Sequence, residues 1–140
     1  MTQRKQALVV DDDPEIQRLI RTYLPDYFTV HTAYAGEEGV KLYNTLMEQG
    51  WRPDVVVMDL NLSGTKSEAA MIRQMEGDEM DGVQTAEKIL QLDPDANIVG
   101  FTAFADLEWG DRLKETGAVQ VFSRNIGFDT FSKKIQQIVA

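Results

Sequence analysis

The chain has 140 residues, of which 43% are hydrophobic and 26% are charged, and it contains no cysteine. This length and composition fit one ordinary globular domain, and the lack of cysteine excludes disulfides, thiolate metal sites and cysteine nucleophiles. The formal net charge of −9 argues against direct binding to nucleic acid, which requires a basic surface.

Short apolar runs alternate with amphipathic segments through the first half of the chain. Residues 7–10 (ALVV) predict a first strand that is buried on both faces. Pro14 is placed to open a helix, and Pro25 is placed to end it. Residues 28–32 then predict a second strand, and residues 36–47 predict a second helix.

The second half repeats the alternation, with one exception. The pattern predicts strands at 55–59, 98–102 and 119–122, and helices at 83–92, 105–116 and 128–139. The exception is the segment 63–81, which is too long for an ordinary strand-to-helix connection of about 2–6 residues. Because strands and helices alternate throughout, we expect an α/β fold with a mostly parallel sheet that helices cover on both faces.

Polar side chains stand where the predicted strands end. In chain order they are Asp11 and Asp12, then Asp59, Thr102, Ser123 and Arg124. Ligands of open parallel sheets bind beyond the carboxyl ends of the strands, so we expect these residues at one edge. Each has a commoner structural explanation when taken alone, such as a solvated turn, a helix cap or a surface cation. Their joint placement in strand order favours a functional site.

The three acids predict a metal-assisted phosphoryl chemistry. Carboxylates ~4 Å apart repel by about 4 kcal/mol per pair at an effective dielectric of ~20, so a cation is expected among Asp11, Asp12 and Asp59. Oxygen ligands with open positions suit Mg²⁺. A carboxylate can also act as a nucleophile towards phosphorus, while Arg124 and the Thr102 hydroxyl would bind the phosphoryl oxygens.

Several segments together resemble the receiver domain of two-component response regulators, the fold shared with bacterial chemotaxis regulators. They are ALVVDDDP, PDVVVMDLNL, MDG, GFTAFAD and GAVQVFSRN, and they run through the whole chain. The resemblance implies a single receiver domain over residues 1–140. It also implies a three-layer α/β/α sandwich whose five parallel strands have the flavodoxin-like order 2-1-3-4-5, with 63–81 inserted between strand 3 and helix 3.

The same resemblance assigns roles to individual residues. It implies that Asp59 is the phosphoacceptor and that Mg²⁺ binds Asp11, Asp12, Asp59 and the backbone carbonyl of Asn61. It makes Thr102 the switch hydroxyl and places Arg124 at the phosphoryl-binding position. The implied partners are a sensor histidine kinase or phosphotransfer protein and a downstream protein or effector domain. The domain would phosphorylate and dephosphorylate only itself.

This chain departs from the family pattern in three places. Arg124 replaces a near-invariant lysine and Asn125 replaces the proline after it; arginine is larger and forks onto its partners, so the exchange is not conservative. Val121 stands where a switch aromatic is usual, so no rotating aromatic is expected unless neighbouring Phe122 substitutes. The insertion 63–81 is either a tolerated surface segment or a lid or docking element.

Two other functions remain open from the sequence. Arg124 and Val121 are compatible with a degenerate receiver that binds a partner without phosphorylation. The segment MDLNLSGT faintly resembles the nucleophile loop of haloacid-dehalogenase phosphatases, although Asn61 then stands where a second acid is required and the motif should follow the first strand. No apolar run reaches the ~20 residues that span a membrane, and no secretory leader is visible, so a cytoplasmic protein without membrane binding is expected.

Overall fold

The computed structural model describes residues 4–59, 82–102 and 114–139, and secondary structure is numbered within these residues. The strands are β1 (Lys5–Val10), β2 (Phe28–Ala33), β3 (Val55–Met58), β4 (Ile98–Thr102) and β5 (Gln120–Ser123). The helices are α1 (Pro14–Tyr23), α2 (Gly36–Glu48), α3 (Gly82–Leu92) and α4 (Phe128–Val139), with a 3₁₀ turn at Arg124–Ile126.

The predicted elements within the described residues are confirmed to within two residues at each end. β1 begins two residues earlier than predicted, because Lys5 and Gln6 also pair with β2. The 3₁₀ turn after β5 was not predicted. Most of the helix predicted at 105–116 and the whole insertion at 63–81 lie outside the described residues.

The sheet has five strands in the order β2-β1-β3-β4-β5. Each neighbouring pair is parallel, from β1 with β2 through to β4 with β5. The predicted order 2-1-3-4-5 is therefore confirmed. β1 and β3 lie inside the sheet, which explains why their sequences are continuous apolar runs rather than alternating ones.

Helices cover both faces of this sheet and give three layers. On one face, α2 and α3 pack over a core that includes Leu8, Val56 and Ile98. On the other face, α1 and α4 pack over Val9, Val57 and Phe101. Successive strand residues face opposite sides, so each interior strand contributes to both cores.

Helix α1 begins directly after the run of three aspartates that follows β1. Asp13 is the N-cap residue, and its side chain accepts a hydrogen bond from the Glu15 backbone N–H at 2.9 Å. Pro14 occupies the first turn, as its fixed φ predicts. Leu24, just before Pro25, adopts an extended conformation and ends the helix. The third aspartate thus caps the helix, and this leaves Asp11 and Asp12 at the strand end.

A polar network joins α2 to the two connections that precede β3 and β4. Tyr43 donates its hydroxyl hydrogen to Asp93 Oδ2 at 2.6 Å, and Arg52 Nε donates to the same oxygen at 2.5 Å. Arg52 Nη2 also donates to the Asp95 carbonyl at 2.8 Å. Burial raises the pKa of Tyr43, and the hydrogen bond from Arg52 lowers the pKa of Asp93. The network therefore favours the ionised form of Asp93.

We expect the Asp93→Asn variant to lose about 1–2 kcal/mol of unfolding free energy near neutral pH, a modest value because Arg52 is 44% exposed. The pKa of Asp93 is lower in the folded chain than its ordinary 3.8. Its contribution is therefore present above that value and is lost as the pH falls through the folded pKa. Urea unfolding at several pH values should show the parent and the variant converging in acid.

The control is Asp95→Asn, because the hydrogen bonds of Asp95 in this network are made by its main chain. It should change stability little at any pH. An Asp93→Asn deficit that stays constant from neutral to acid pH would contradict the assigned ionisation.

Candidate functional site

Three carboxylates meet at the carboxyl edge of the sheet. Asp11 directly follows β1 and Asp59 directly follows β3, and these strands are neighbours. One carboxylate oxygen from each of Asp11, Asp12 and Asp59 lies within 4.8 Å of the other two. Asp11 and Asp59 are each only 2% exposed, while Asp12 is half-buried. The predicted gathering of the acids at one edge is confirmed.

Main-chain hydrogen bonds fix the positions of the two buried acids. The Asp11 N–H donates to the Ala33 carbonyl at 3.0 Å, and the Asp59 N–H donates to the Val10 carbonyl at 3.0 Å. These bonds continue the strand ladders one residue beyond the strands. The Asp13 N–H donates to Asp11 Oδ1 at 2.9 Å and orients that carboxylate. The spacing of the acids is therefore built into the sheet.

Arg124, the first residue after β5, reaches into this cluster. Its Nη2 lies 2.5 Å from Asp11 Oδ2 and 3.7 Å from Asp59 Oδ1. Its Nε donates to the Phe101 carbonyl at 3.2 Å, and its guanidinium carbon lies 5.2 Å from the centre of the Phe101 ring. The guanidinium group is thus held from two sides, and its shortest ionic contact is with Asp11 rather than Asp59.

Of the remaining predicted site residues, Thr102 lies within the described part of the chain and Asn61 does not. Thr102 is fully buried at the end of β4 and pairs in register with Ser123 of β5. The segment that contains Asn61 lies outside the described residues. Thr102 therefore lies at the predicted edge of the sheet.

Phe122 does not take the place of the absent switch aromatic. Val121 packs against the core beneath α2 and α3, whereas Phe122 packs against the core beneath α1 and α4. Neighbouring residues of a strand face opposite sides of the sheet. Phe122 is 7% exposed and forms an edge-to-face contact with Phe131, with 5.9 Å between the ring centres. The possibility that Phe122 substitutes is therefore wrong.

Gln17 is a site residue that sequence reasoning missed. It is 1% exposed, and its Nε2 donates to the carbonyls of Val9, Asp11 and Ala33 at 3.0, 3.1 and 2.9 Å. It therefore clamps the ends of β1 and β2 beside the acids. The sequence contained a signal for the burial of Gln17, because Gln17 lies three residues before Ile20 on the apolar face of α1.

The model of the response regulator receiver domain family matches residues 7–136. The chain belongs to this receiver domain family. Among the described residues of this receiver domain, no helix is long and apolar enough to cross a membrane. Asp59 follows β3 rather than the first strand, which contradicts the haloacid-dehalogenase interpretation.

Curated relatives of this receiver domain include response regulators. It is 27% identical to the response regulator GacA of Pseudomonas aeruginosa over 137 residues, which are 96% of this chain and 55% of the relative. It is also 35% identical over 74 residues to the hybrid signal transduction histidine kinase D of Dictyostelium discoideum, covering 53% of this chain and 4% of the kinase. The receiver domain therefore spans about half the length of the response regulator and a small fraction of the length of the kinase.

Solved structures share its fold. A CheY-like receiver domain protein from Methanospirillum hungatei superposes with a TM-score of 0.74 at 22% identity, covering 97% of this chain and 94% of the other. A CheX–CheY–BeF₃–Mg²⁺ complex from Borrelia burgdorferi gives a TM-score of 0.76 at 18% identity, with 97% and 90% covered. At these identities the likeness concerns the fold alone.

Proposed function

We propose that this receiver domain is a phosphoryl-accepting switch in a two-component or phosphorelay system, with Asp59 as the acceptor. The observation that carries the proposal is the arrangement around Asp59. Its buried carboxylate lies beside two further acids and 3.7 Å from the Arg124 guanidinium. One nucleophile thus lies beside a cation and beside two acids that could hold a metal ion, and this arrangement matches the requirements of phosphoryl transfer.

The acid cluster fits a magnesium ion. Mg²⁺ prefers oxygen ligands and keeps several waters, and it usually binds through one or two carboxylates together with phosphate oxygens. Asp11, Asp12 and Asp59 offer such oxygens within a span of 4.8 Å. We propose that these residues hold the ion and that the Asn61 backbone carbonyl completes the protein ligands. When bound, the ion would neutralise charge on the transferring phosphoryl group.

Individual residues of the chain have separate roles in the transfer and release of the phosphoryl group. An Asp59 oxygen forms a bond to phosphorus as the phosphorus–nitrogen bond of a phosphohistidine breaks, and the imidazole nitrogen keeps the electron pair. Arg124 and the Thr102 hydroxyl bind oxygens of the phosphoryl group after transfer. Attack of water on phosphorus later releases phosphate and restores the carboxylate. The domain thus turns over only its own phosphoryl group.

The donor proposed here is a sensor histidine kinase or a histidine phosphotransfer protein. The curated relatives support this class of partner, since they include response regulators and a hybrid histidine kinase. The downstream partner would read a conformational change that the added phosphoryl charge drives. Structures with this fold include a BeF₃-activated DrrB receiver domain and a CheX–CheY–BeF₃–Mg²⁺ complex from Borrelia burgdorferi, and they suggest beryllofluoride as a probe for this chain.

Thermal unfolding with Mg²⁺ and beryllofluoride tests the proposal directly. Beryllofluoride imitates the phosphoryl group, and a ligand that binds only the folded state raises the melting temperature. We expect Mg²⁺ together with beryllofluoride to stabilise the parent more than Mg²⁺ alone, and Asp59→Asn to lose this extra shift. No extra shift in the parent at saturating Mg²⁺ would reject the proposal.

A second candidate is a partner-binding module that does not depend on phosphorylation. Two observations favour it: Val121 replaces the switch aromatic, and Arg124 already pairs with Asp11. This candidate predicts that Asp59→Asn binds the downstream partner as tightly as the parent does, with or without a phosphodonor. The phospho-switch predicts a difference that appears only after phosphorylation of the parent.

A further inference from the structure

We propose that Arg124 is a built-in competitor of the divalent cation, because its guanidinium group pairs with Asp11, one of the carboxylates proposed as metal ligands. This inference rests on the proposed metal site. It adds that Arg124 is a counter-ion within the acid cluster and that this counter-ion lowers the affinity for Mg²⁺.

The contact with Asp11 is specific to one oxygen. Asp11 Oδ1 accepts a hydrogen bond from the Asp13 N–H at 2.9 Å, so Oδ2 is the oxygen that points to Arg124, 2.5 Å from Nη2. The same Nη2 lies 3.7 Å from Asp59 Oδ1. One guanidinium nitrogen therefore stands between two of the acids proposed as metal ligands.

The arginine is held in this position by groups outside the acid cluster. Its Nε donates to the Phe101 carbonyl, its plane lies near the Phe101 ring, and the side chain is 17% exposed. A lysine has a single ammonium group and no planar fork, so it cannot reproduce this set of contacts. The combination of these contacts is thus specific to arginine at this position.

Competition follows from charge and from burial. Arg124 places a positive charge directly against the buried Asp11 carboxylate. Two cations that share the buried Asp11 carboxylate repel each other with little screening by salt. A divalent ion must therefore displace Arg124 from Asp11 or bind against its repulsion. A phosphoryl group on Asp59 would offer Arg124 new acceptors, so metal and phosphoryl binding should favour each other.

Calorimetric titration with Mg²⁺ at low ionic strength tests the inference without any measurement of activity. We expect Arg124→Gln to bind Mg²⁺ about tenfold more tightly than the parent, the order expected when one nearby positive charge is removed. Arg124→Lys should fall between the two, since it keeps the charge but loses the fork. This second variant covers the case in which Arg124→Gln folds poorly.

The matched control is Arg52→Gln. Arg52 also makes a 2.5 Å contact with a buried aspartate, and its loss changes the net charge equally, but it lies at the opposite end of β3 from Asp59. We expect its affinity for Mg²⁺ to stay within about twofold of the parent value.

The outcomes separate this inference from the proposed function. If the parent binds Mg²⁺ and Arg124→Gln binds it equally or more weakly, competition is overturned while the metal site stands. If neither the parent nor the Arg124 variants bind Mg²⁺, both the metal site and the inference are overturned. If Arg52→Gln gains as much affinity for Mg²⁺ as Arg124→Gln does, the gain reflects the change in net charge alone. That result would also overturn competition.

Discussion

The Asp59→Asn variant is expected to lose about a hundredfold or more of the Mg²⁺-dependent labelling that a small phosphodonor such as acetyl phosphate gives with the parent. A carboxamide is a far weaker nucleophile than a carboxylate, so removal of one acceptor oxygen removes the reaction. The label should behave as an acyl phosphate, stable in mild acid and released by alkali or hydroxylamine. Intact-mass spectrometry or a radiolabelled donor measures it.

Asp54→Asn is the matched control for this experiment. Asp54 lies just before β3, as Asp59 lies just after it, and its Oδ2 accepts a hydrogen bond from the Gln6 N–H at 2.7 Å. The same chemical change at the opposite end of the strand should leave labelling at the parental level. Labelling that survives in Asp59→Asn would place the acceptor on another residue and would remove the central role proposed for Asp59.

The Phe131→Ala variant is expected to lose about 3–5 kcal/mol of unfolding free energy, the usual cost of deleting a large core side chain. Phe131 in α4 is 2% exposed and stacks on Phe101, with 3.8 Å between the ring centres. It also meets the Phe122 ring edge-to-face. The truncation would open a cavity between α4 and the sheet, directly beneath the ring on which Arg124 lies.

Urea or guanidinium unfolding followed by circular dichroism measures this loss. Lys133→Ala on the same helix is the control, since the Lys133 side chain is 70% exposed and its ion pair with Asp129 is exposed too. It should change the unfolding free energy by less than about 0.5 kcal/mol. A loss below about 1 kcal/mol in Phe131→Ala would show that the aromatic stack contributes little to the packing of α4.

The pattern of the sequence was sufficient to predict a parallel sheet and the edge of that sheet at which the site lies. Continuous apolar runs predicted β1, β3 and β4, because interior parallel strands are buried on both faces. The rule that ligands bind at the carboxyl ends of such strands then brought Asp11 and Asp59 to one edge. The resemblance to receiver domains added the strand order and the separate roles of these acids, and the structure confirmed the order.

The contacts within the site followed from tertiary packing. Sequence reasoning assigned Arg124 to a phosphoryl group, but its pairing with Asp11 depends on where the Phe101 ring and carbonyl hold the guanidinium. The clamp formed by Gln17 required α1 to pack against the ends of two strands. The face occupied by Phe122 could have been inferred from strand alternation, but its burial against Phe131 required the position of α4.

The sequence alone therefore determined which residues end the strands, and with them the acidic edge at which we propose phosphoryl transfer. Only the folded chain decided which carboxylate the arginine neutralises, because that choice depends on side-chain packing between residues 113 positions apart. Periodicity describes the direction in which a backbone presents its side chains. It contains no information about which distant partner a long, charged side chain reaches.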